Sequence, residues 1–126
     1  MQNPDNCRFT KSHEWLSVDG TIGISEHAQK EITDVVFVEL PKIGKEVKAG
    51  DPVAVVESVK AAFDIYAPVS GKISKVNSEV SKNPALVNQS PYGNGWLFTI
   101  EKSTAGEEEK LMTHADYQKF ILTAAH

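Results

Sequence analysis

Apolar residues in this chain come in short bursts between turn-forming residues, and through its middle they favour strands. Val, Ile, Phe, Tyr and Trp gather in Trp15–Val18, Thr21–Ile24, Val35–Leu40, Val53–Glu57, Phe63–Ala67, Lys72–Val76 and Trp96–Glu101. These segments are read as strands, because such side chains fit a pleated, half-buried surface. Asp19-Gly20, Pro41, Gly44, Gly50-Asp51-Pro52, Pro68 and Gly71 punctuate them. Asp19-Gly20 predicts a hairpin with a type I′ turn, which needs residues tolerant of left-handed backbone. Two segments read as helix instead. Ser25 can cap Glu26–Ile32 by accepting a free backbone N–H. Thr113 can cap His114–Leu122, where Tyr117, Phe120 and Ile121 share a face. Glu107-Glu108-Glu109 reads either as the first turn of another short helix or as a solvated loop.

A faint repeat runs through the strands. Val38-Glu39-Leu40-Pro41-Lys42-Ile43-Gly44-Lys45 is echoed by Ile65-Tyr66-Ala67-Pro68-Val69-Ser70-Gly71-Lys72. Each half is a strand followed by Pro-x-x-Gly-Lys, which suggests two similar half-sheets packed face to face as a sandwich or flattened barrel. Lys60 falls between the halves.

Length and composition narrow the class. The chain has 126 residues, the size of one domain. Residues 1–8 are expected to be loose and residues 107–122 to form a C-terminal helical segment. The longest apolar runs, Val35–Val38 and Val53–Val56, are four residues, against the roughly 20 a membrane span needs. Thirteen basic and seventeen acidic residues give a net charge of −4, which argues against a nucleic-acid binder. Cys7 is the only cysteine, so a reducing compartment is expected and the thiol is read as unremarkable rather than nucleophilic. Met1 to Trp15 shows no apolar signal core, and Arg8 is the only arginine. The expectation is a cytoplasmic protein without processing.

Most catalytic patterns are missing. His13, His27, His114 and His126 form no H-x-x-x-H pair and have no cysteine partner, so they read as surface or capping residues rather than zinc ligands. No G-x-S-x-G or G-x-G-x-x-G is present. Ile73 follows Gly71-Lys72 where a phosphate loop needs Ser or Thr. The remaining feature is Lys60 itself. Two β-prone runs flank Val59-Lys60-Ala61-Ala62, so the lysine should project from the tip of a turn, its ammonium left open by the alanines. Glu57 and Asp64 nearby favour the charged form. That suits a lysine acylated by another enzyme better than a Schiff-base catalyst, which needs a lowered pKa.

Glu57-Ser58-Val59-Lys60-Ala61 resembles the lipoyl-attachment motif of glycine cleavage system H proteins. The resemblance extends to Ser12-His13-Glu14-Trp15, Ile22-Gly23-Ile24, His27-Ala28-Gln29, Val36-Phe37-Val38-Glu39-Leu40-Pro41, Asp64-Ile65-Tyr66-Ala67-Pro68-Val69-Ser70-Gly71, Leu86-Val87-Asn88, Ser90-Pro91-Tyr92-Gly93 and Gly95-Trp96-Leu97-Phe98. These fall in the family's order from about Phe9 to Phe120. The resemblance implies a mainly β barrel-sandwich hybrid of two antiparallel sheets, with short helices including one at the C-terminus. It implies lipoate in amide linkage to Lys60, with Glu57, Ser58, Val59 and Ala61 as the attachment motif.

By the same resemblance the protein is a carrier of glycine catabolism and one-carbon metabolism, not an enzyme. Its arm would take an aminomethyl group from glycine decarboxylase (P protein) to the aminomethyltransferase (T protein). Dihydrolipoamide dehydrogenase (L protein) would then reoxidise it. A lipoate ligase or a lipoyl/octanoyl transferase would load it. Size and family give the expectation of a monomer without nucleic-acid or membrane partners. An H-like protein relaying lipoyl groups to other carriers is the alternative.

A loaded, cationic arm needs acids and a dry cleft, and Glu14 and Asp64 match positions expected to line it. For Glu14 a strand-end surface charge is an equal reading. The chain departs from the family's pattern at Phe63, commonly Ser, and at Thr33, usually Gly. Glu31 stands where some members carry His.

Overall fold

The computed structural model describes residues 2–123; His126, read above as a surface residue, lies outside them. In chain order the elements are β1 (Arg8–Phe9), β2 (Glu14–Leu16), β3 (Thr21–Ile24), α1 (Glu26–Ile32), β4 (Val35–Glu39), β5 (Glu46–Val47), β6 (Pro52–Ser58), β7 (Ala62–Tyr66), β8 (Gly71–Val76), α2 (Glu79–Lys82), α3 (Leu86–Gln89), β9 (Phe98–Lys102), β10 (Met112–Thr113) and α4 (His114–Thr123). Short 3₁₀ turns occupy Pro4–Asn6 and Glu107–Lys110. The mainly β, two-sheet fold is as expected. A seven-stranded sheet runs β10-β1-β2-β3-β9-β8-β5, a three-stranded one runs β4-β6-β7, and every pairing is antiparallel.

The repeat has a different meaning from the one its spacing suggests. Each half starts in the small sheet, as β4 or β7, and ends in the large one, as β5 or β8. β4 and β7 flank β6, while β5 pairs with β8 through Glu46↔Lys72 and Val47↔Gly71. The Pro-x-x-Gly-Lys segments are therefore crossings between sheets, laced together by Gly44 N to Ile73 O at 2.7 Å and Ile73 N to Lys45 O at 2.9 Å. Ile22, Ile73, Phe98 and Ile100 from the large sheet meet Val38, Val56 and Ile65 from the small one in a single core.

Local signals explain several turns. Gly20 alone takes left-handed backbone in the β2–β3 connection, at φ 89°. The turn is therefore not the expected type I′. Gly20 N donates to Ser17 O, and Ser17 N to Thr21 O, the pattern of a three-residue loop with one left-handed position. A side chain at Gly23 would meet the Trp15 ring at 2.8 Å, so the glycine lets the indole lie flat on β3. Ser25 caps α1 as predicted, accepting from Ala28 N at 3.1 Å.

The N-terminal segment, expected to be loose, is docked. Cys7 is 3% exposed and Phe9 is fully buried in a second cluster with Trp15 and Tyr117. Phe9 stacks on Tyr117 of α4 with ring centroids 4.5 Å apart. Burying a Phe contributes roughly 1.5–3 kcal/mol, enough to order a segment whose polar composition suggests none. Burial pushes the Cys7 thiol up to about 11, so it stays protonated and unreactive near neutral pH.

Thr33, the residue after α1, sits at φ 64° and ψ −153°. A β-branched side chain is strained there, at a cost on the order of 1–3 kcal/mol. Thr33 is exposed, so little packing opposes its removal. Thr33→Gly is expected to raise stability by about 1 kcal/mol, the relief of strain less roughly 0.5–1 kcal/mol of added chain entropy. A shift of the urea midpoint to higher concentration at unchanged slope checks it; an unchanged or lower midpoint refutes the strain.

Candidate functional site

Lys60 occupies the tip of the β6–β7 hairpin. The strands pair in register through Val55↔Asp64, Val56↔Phe63 and Glu57↔Ala62, and Val59, Lys60 and Ala61 connect them. None of the three takes left-handed backbone. Ser58 holds the turn instead. Its hydroxyl accepts from Lys60 N at 3.1 Å and Ala61 N at 3.3 Å, while Ser58 N donates to Ala61 O at 2.9 Å. A serine can satisfy turn donors in this way without glycine. Val59, Lys60 and Ala61 are exposed around it.

The lysine amine lies against a helix end. Nζ donates to Glu31 O at 3.2 Å, in the last turn of α1, where the free carbonyls favour a cation. Glu57 and Asp64, near it in sequence, form no ion pair with it among the described residues. Among the described residues Lys102 pairs with Glu108, and the His27 and His114 rings lie 3.9 and 2.8 Å from the carboxylates of Glu31 and Asp5.

Beside the hairpin a cleft of about 750 Å³ runs along the free edge of β7. Ile32, Phe63, Ile65, Phe120 and Ile121 give it apolar walls, and Glu31 and Asp64 add carboxylates. His13 and His27 face it with ring centroids 5.1 Å apart. Phe63, one of the departures from the family's pattern, thus forms part of the wall.

Glu14 requires a correction. It is fully buried and is not among the residues lining the cleft. Its carboxylate accepts from the Thr10 hydroxyl, from Ser12 Oγ at 2.6 Å and from Tyr66 N at 3.0 Å. Strand β2 turns it inward, where it ties the β1–β2 loop to the end of β7. Neither the surface reading nor the cleft reading anticipated this, because the Tyr66 amide whose hydrogen bond its carboxylate accepts lies 52 residues away in sequence.

The surface or capping reading of His13 gives way to a more specific place in the structure. Its Nδ1 lies 2.7 Å from Tyr117 Oη, which also lies 2.6 Å from Ser25 Oγ. Burial raises the Tyr117 hydroxyl to about 12, so it stays protonated as a donor. The network fastens α4 over the mouth of the cleft.

Residues 7–124 match the sequence pattern of the family described as Glycine cleavage H-protein. The chain belongs to that family. It is 57% identical over 108 residues to a glycine cleavage system H protein of Deinococcus deserti, covering 86% of this chain and 90% of that one. It is 50% identical over 121 residues to its counterpart in Carboxydothermus hydrogenoformans, covering 94% and 93%. Its fold matches the crystal structure of a glycine cleavage system H protein from Mycobacterium marinum with a TM-score of 0.83 at 33% identity, over 98% of this chain and 100% of that one. Members of the glycine cleavage H-protein family are lipoyl carriers, and this chain is a non-catalytic shuttle subunit of that system. Among its described residues no helix is long and apolar enough to cross a membrane.

His13 of this H-protein cleft gives it a pH signature. Burial, then the neighbouring His27, lowers the His13 pKa from its ordinary 6.5, against a smaller opposite effect of Glu31. Native His13 therefore stays neutral while an unfolded one charges as pH falls through 6.5. The stability it contributes is complete above that value and is lost as pH drops below it. The stability gap between the wild-type protein and His13→Gln is expected to narrow from about pH 7.5 to 5.5, measured by urea denaturation. A gap independent of pH would contradict the assignment.

Proposed function

We infer that lipoate is joined by an amide to Lys60, and that Glu57, Ser58, Val59 and Ala61 form the motif read by the loading enzyme. The observation that carries this reading is an exposed lysine at a serine-held hairpin tip, on a hairpin whose strand β7 lines an apolar cleft with acids in its lining. The residues fit such a group. The amine is accessible, and its one hydrogen bond among the described residues, to the main-chain carbonyl of the exposed Glu31, leaves no buried partner behind when it is acylated. The dithiolane supplies the thiol–disulfide exchange by which an aminomethyl group is carried.

The chain's own residues position and shield. Ile32, Phe63, Phe120 and Ile121 exclude water from an arm laid along β7. Asp64 and Glu31 stabilise a cationic amine there by roughly 1 kcal/mol each where partly exposed. The partners are the glycine decarboxylase, the aminomethyltransferase, dihydrolipoamide dehydrogenase and a lipoate ligase or lipoyl/octanoyl transferase. The single lipoyl-carrier domain meets them as a monomer. The relatives quoted above are all named for glycine cleavage, which favours the shuttle over a relay to other carriers.

Coexpression with a lipoate ligase followed by intact mass tests the attachment. A gain of one lipoyl group, absent in Lys60→Ala, is expected. No gain in the wild-type chain, or a gain that persists in the variant, overturns it.

A further inference from the structure

Besides the two strands, the Lys60 turn touches the molecule through main-chain acceptors on one neighbouring link. Val59 N donates to Asp34 O at 3.0 Å, and Lys60 Nζ to Glu31 O at 3.2 Å. Both acceptors lie between the last turn of α1 and the start of β4. This link is exposed at Thr33 and Asp34 and contains the strained backbone of Thr33. Strain of that kind persists only where the surroundings over-determine the conformation.

Asn88 of α3 provides the determination. Its Nδ2 donates to Thr33 O at 2.7 Å and to Gln29 Oε1 at 3.2 Å, and its Oδ1 accepts from Val35 N at 2.9 Å. One half-buried amide therefore uses both its donor and acceptor ends on the two residues that flank Asp34. α3 is in turn anchored by Val87, which is fully buried. A continuous set of hydrogen bonds runs from Asn88 through Thr33 and Val35 to Asp34, then to Val59 beside Lys60.

We propose that Asn88 is a positioning residue for the attachment turn: by clamping the main chain on both sides of Asp34, it holds the Lys60 tip in the shape that the acylating enzyme reads. This rests on Lys60 being the lipoyl site. A tip that visits this shape only part of the time binds its enzyme more weakly by the fraction lost, without changing the step after binding. Asn88→Ala is therefore expected to raise the KM of the unmodified protein for a lipoate–ATP ligase about ten-fold with kcat unchanged. Amide exchange at Val59 should accelerate relative to Ile73 in the core.

Two further variants separate positioning from general stability. Val69→Ala removes packing from a fully buried site away from the link, and is expected to lower the unfolding midpoint while leaving KM and Val59 exchange as they were. Adding Thr33→Gly to Asn88→Ala should recover part of the KM, since glycine takes the left-handed backbone without a clamp. Wild-type KM and Val59 exchange in Asn88→Ala, or an equal KM shift in Val69→Ala, would overturn the proposal. Should the wild-type chain accept no lipoate, the reading of Lys60 fails, and Val59 exchange alone then decides whether Asn88 braces the turn.

Discussion

Lys60→Arg is expected to eliminate lipoylation, and with it all glycine–bicarbonate exchange supported by this carrier, while leaving the fold intact. A guanidinium keeps its proton under all ordinary conditions and is not acylated. The loss is therefore complete rather than graded. Folding is spared because the side chain is exposed and, among the described residues, has one hydrogen bond, to Glu31 O at the end of α1. Arginine keeps a cation beside that helix end, so stability should stay within about 0.5 kcal/mol of the wild-type value. Intact mass after coexpression with a ligase, an exchange assay with the decarboxylase present, and a urea melt together make the measurement. Exchange activity retained in the variant would contradict the carrier chemistry. A collapsed melt would show that the tip matters to the fold, which its exposure argues against.

The largest effect on stability is expected at Glu14. Three donors converge on this fully buried carboxylate: the Thr10 and Ser12 hydroxyls and the amide of Tyr66. Glu14→Ala strands the Tyr66 amide, at a cost of roughly 1–3 kcal/mol, and removes the acceptor of the Thr10 and Ser12 hydroxyls, which belong to a half-buried and an exposed residue. The hydroxyls can rotate toward other acceptors, but the Tyr66 amide cannot. A net loss of about 2–4 kcal/mol follows. Glu14→Gln should cost less, because its carbonyl can serve Tyr66 while its NH₂ group donates to the hydroxyls. The order wild type, Gln, Ala in urea midpoint is the expected result. A variant of full stability that instead retains its loaded arm poorly would return Glu14 to the cleft.

Much of this protein is legible one segment at a time. The cap at Ser25 and the span Glu26–Ile32 follow from a side chain acting on its own next turn, and the structure matches both. The strand Thr21–Ile24 is likewise as read. Strands of two residues were missed: Arg8–Phe9, Glu46–Val47 and Met112–Thr113. Two residues show no period, and each strand exists only because a distant partner lies alongside. The short helices Glu79–Lys82 and Leu86–Gln89 were missed for the same reason. The strand expected from Trp96 begins at Phe98, because Trp96 N closes a turn onto Gly93 O and Trp96 O accepts from Asn77.

The site divides along the same line. Lys60 at an exposed hairpin tip could be read from β-prone runs and the residues between them, whereas the cleft beside it, with Asp64 in its lining, exists only in the folded chain. The order of residues along the chain thus determined the longer strands, the cap and the lysine tip, since each depends on forces acting over a few neighbouring positions. Tertiary structure alone decided that Glu14 points inward, that His13 meets Tyr117 104 residues away, and that Asn88 reaches Val35 across 53. A hydrogen bond of that kind depends on how two sheets and four helices settle against one core. No local pattern encodes a partner's place in that packing.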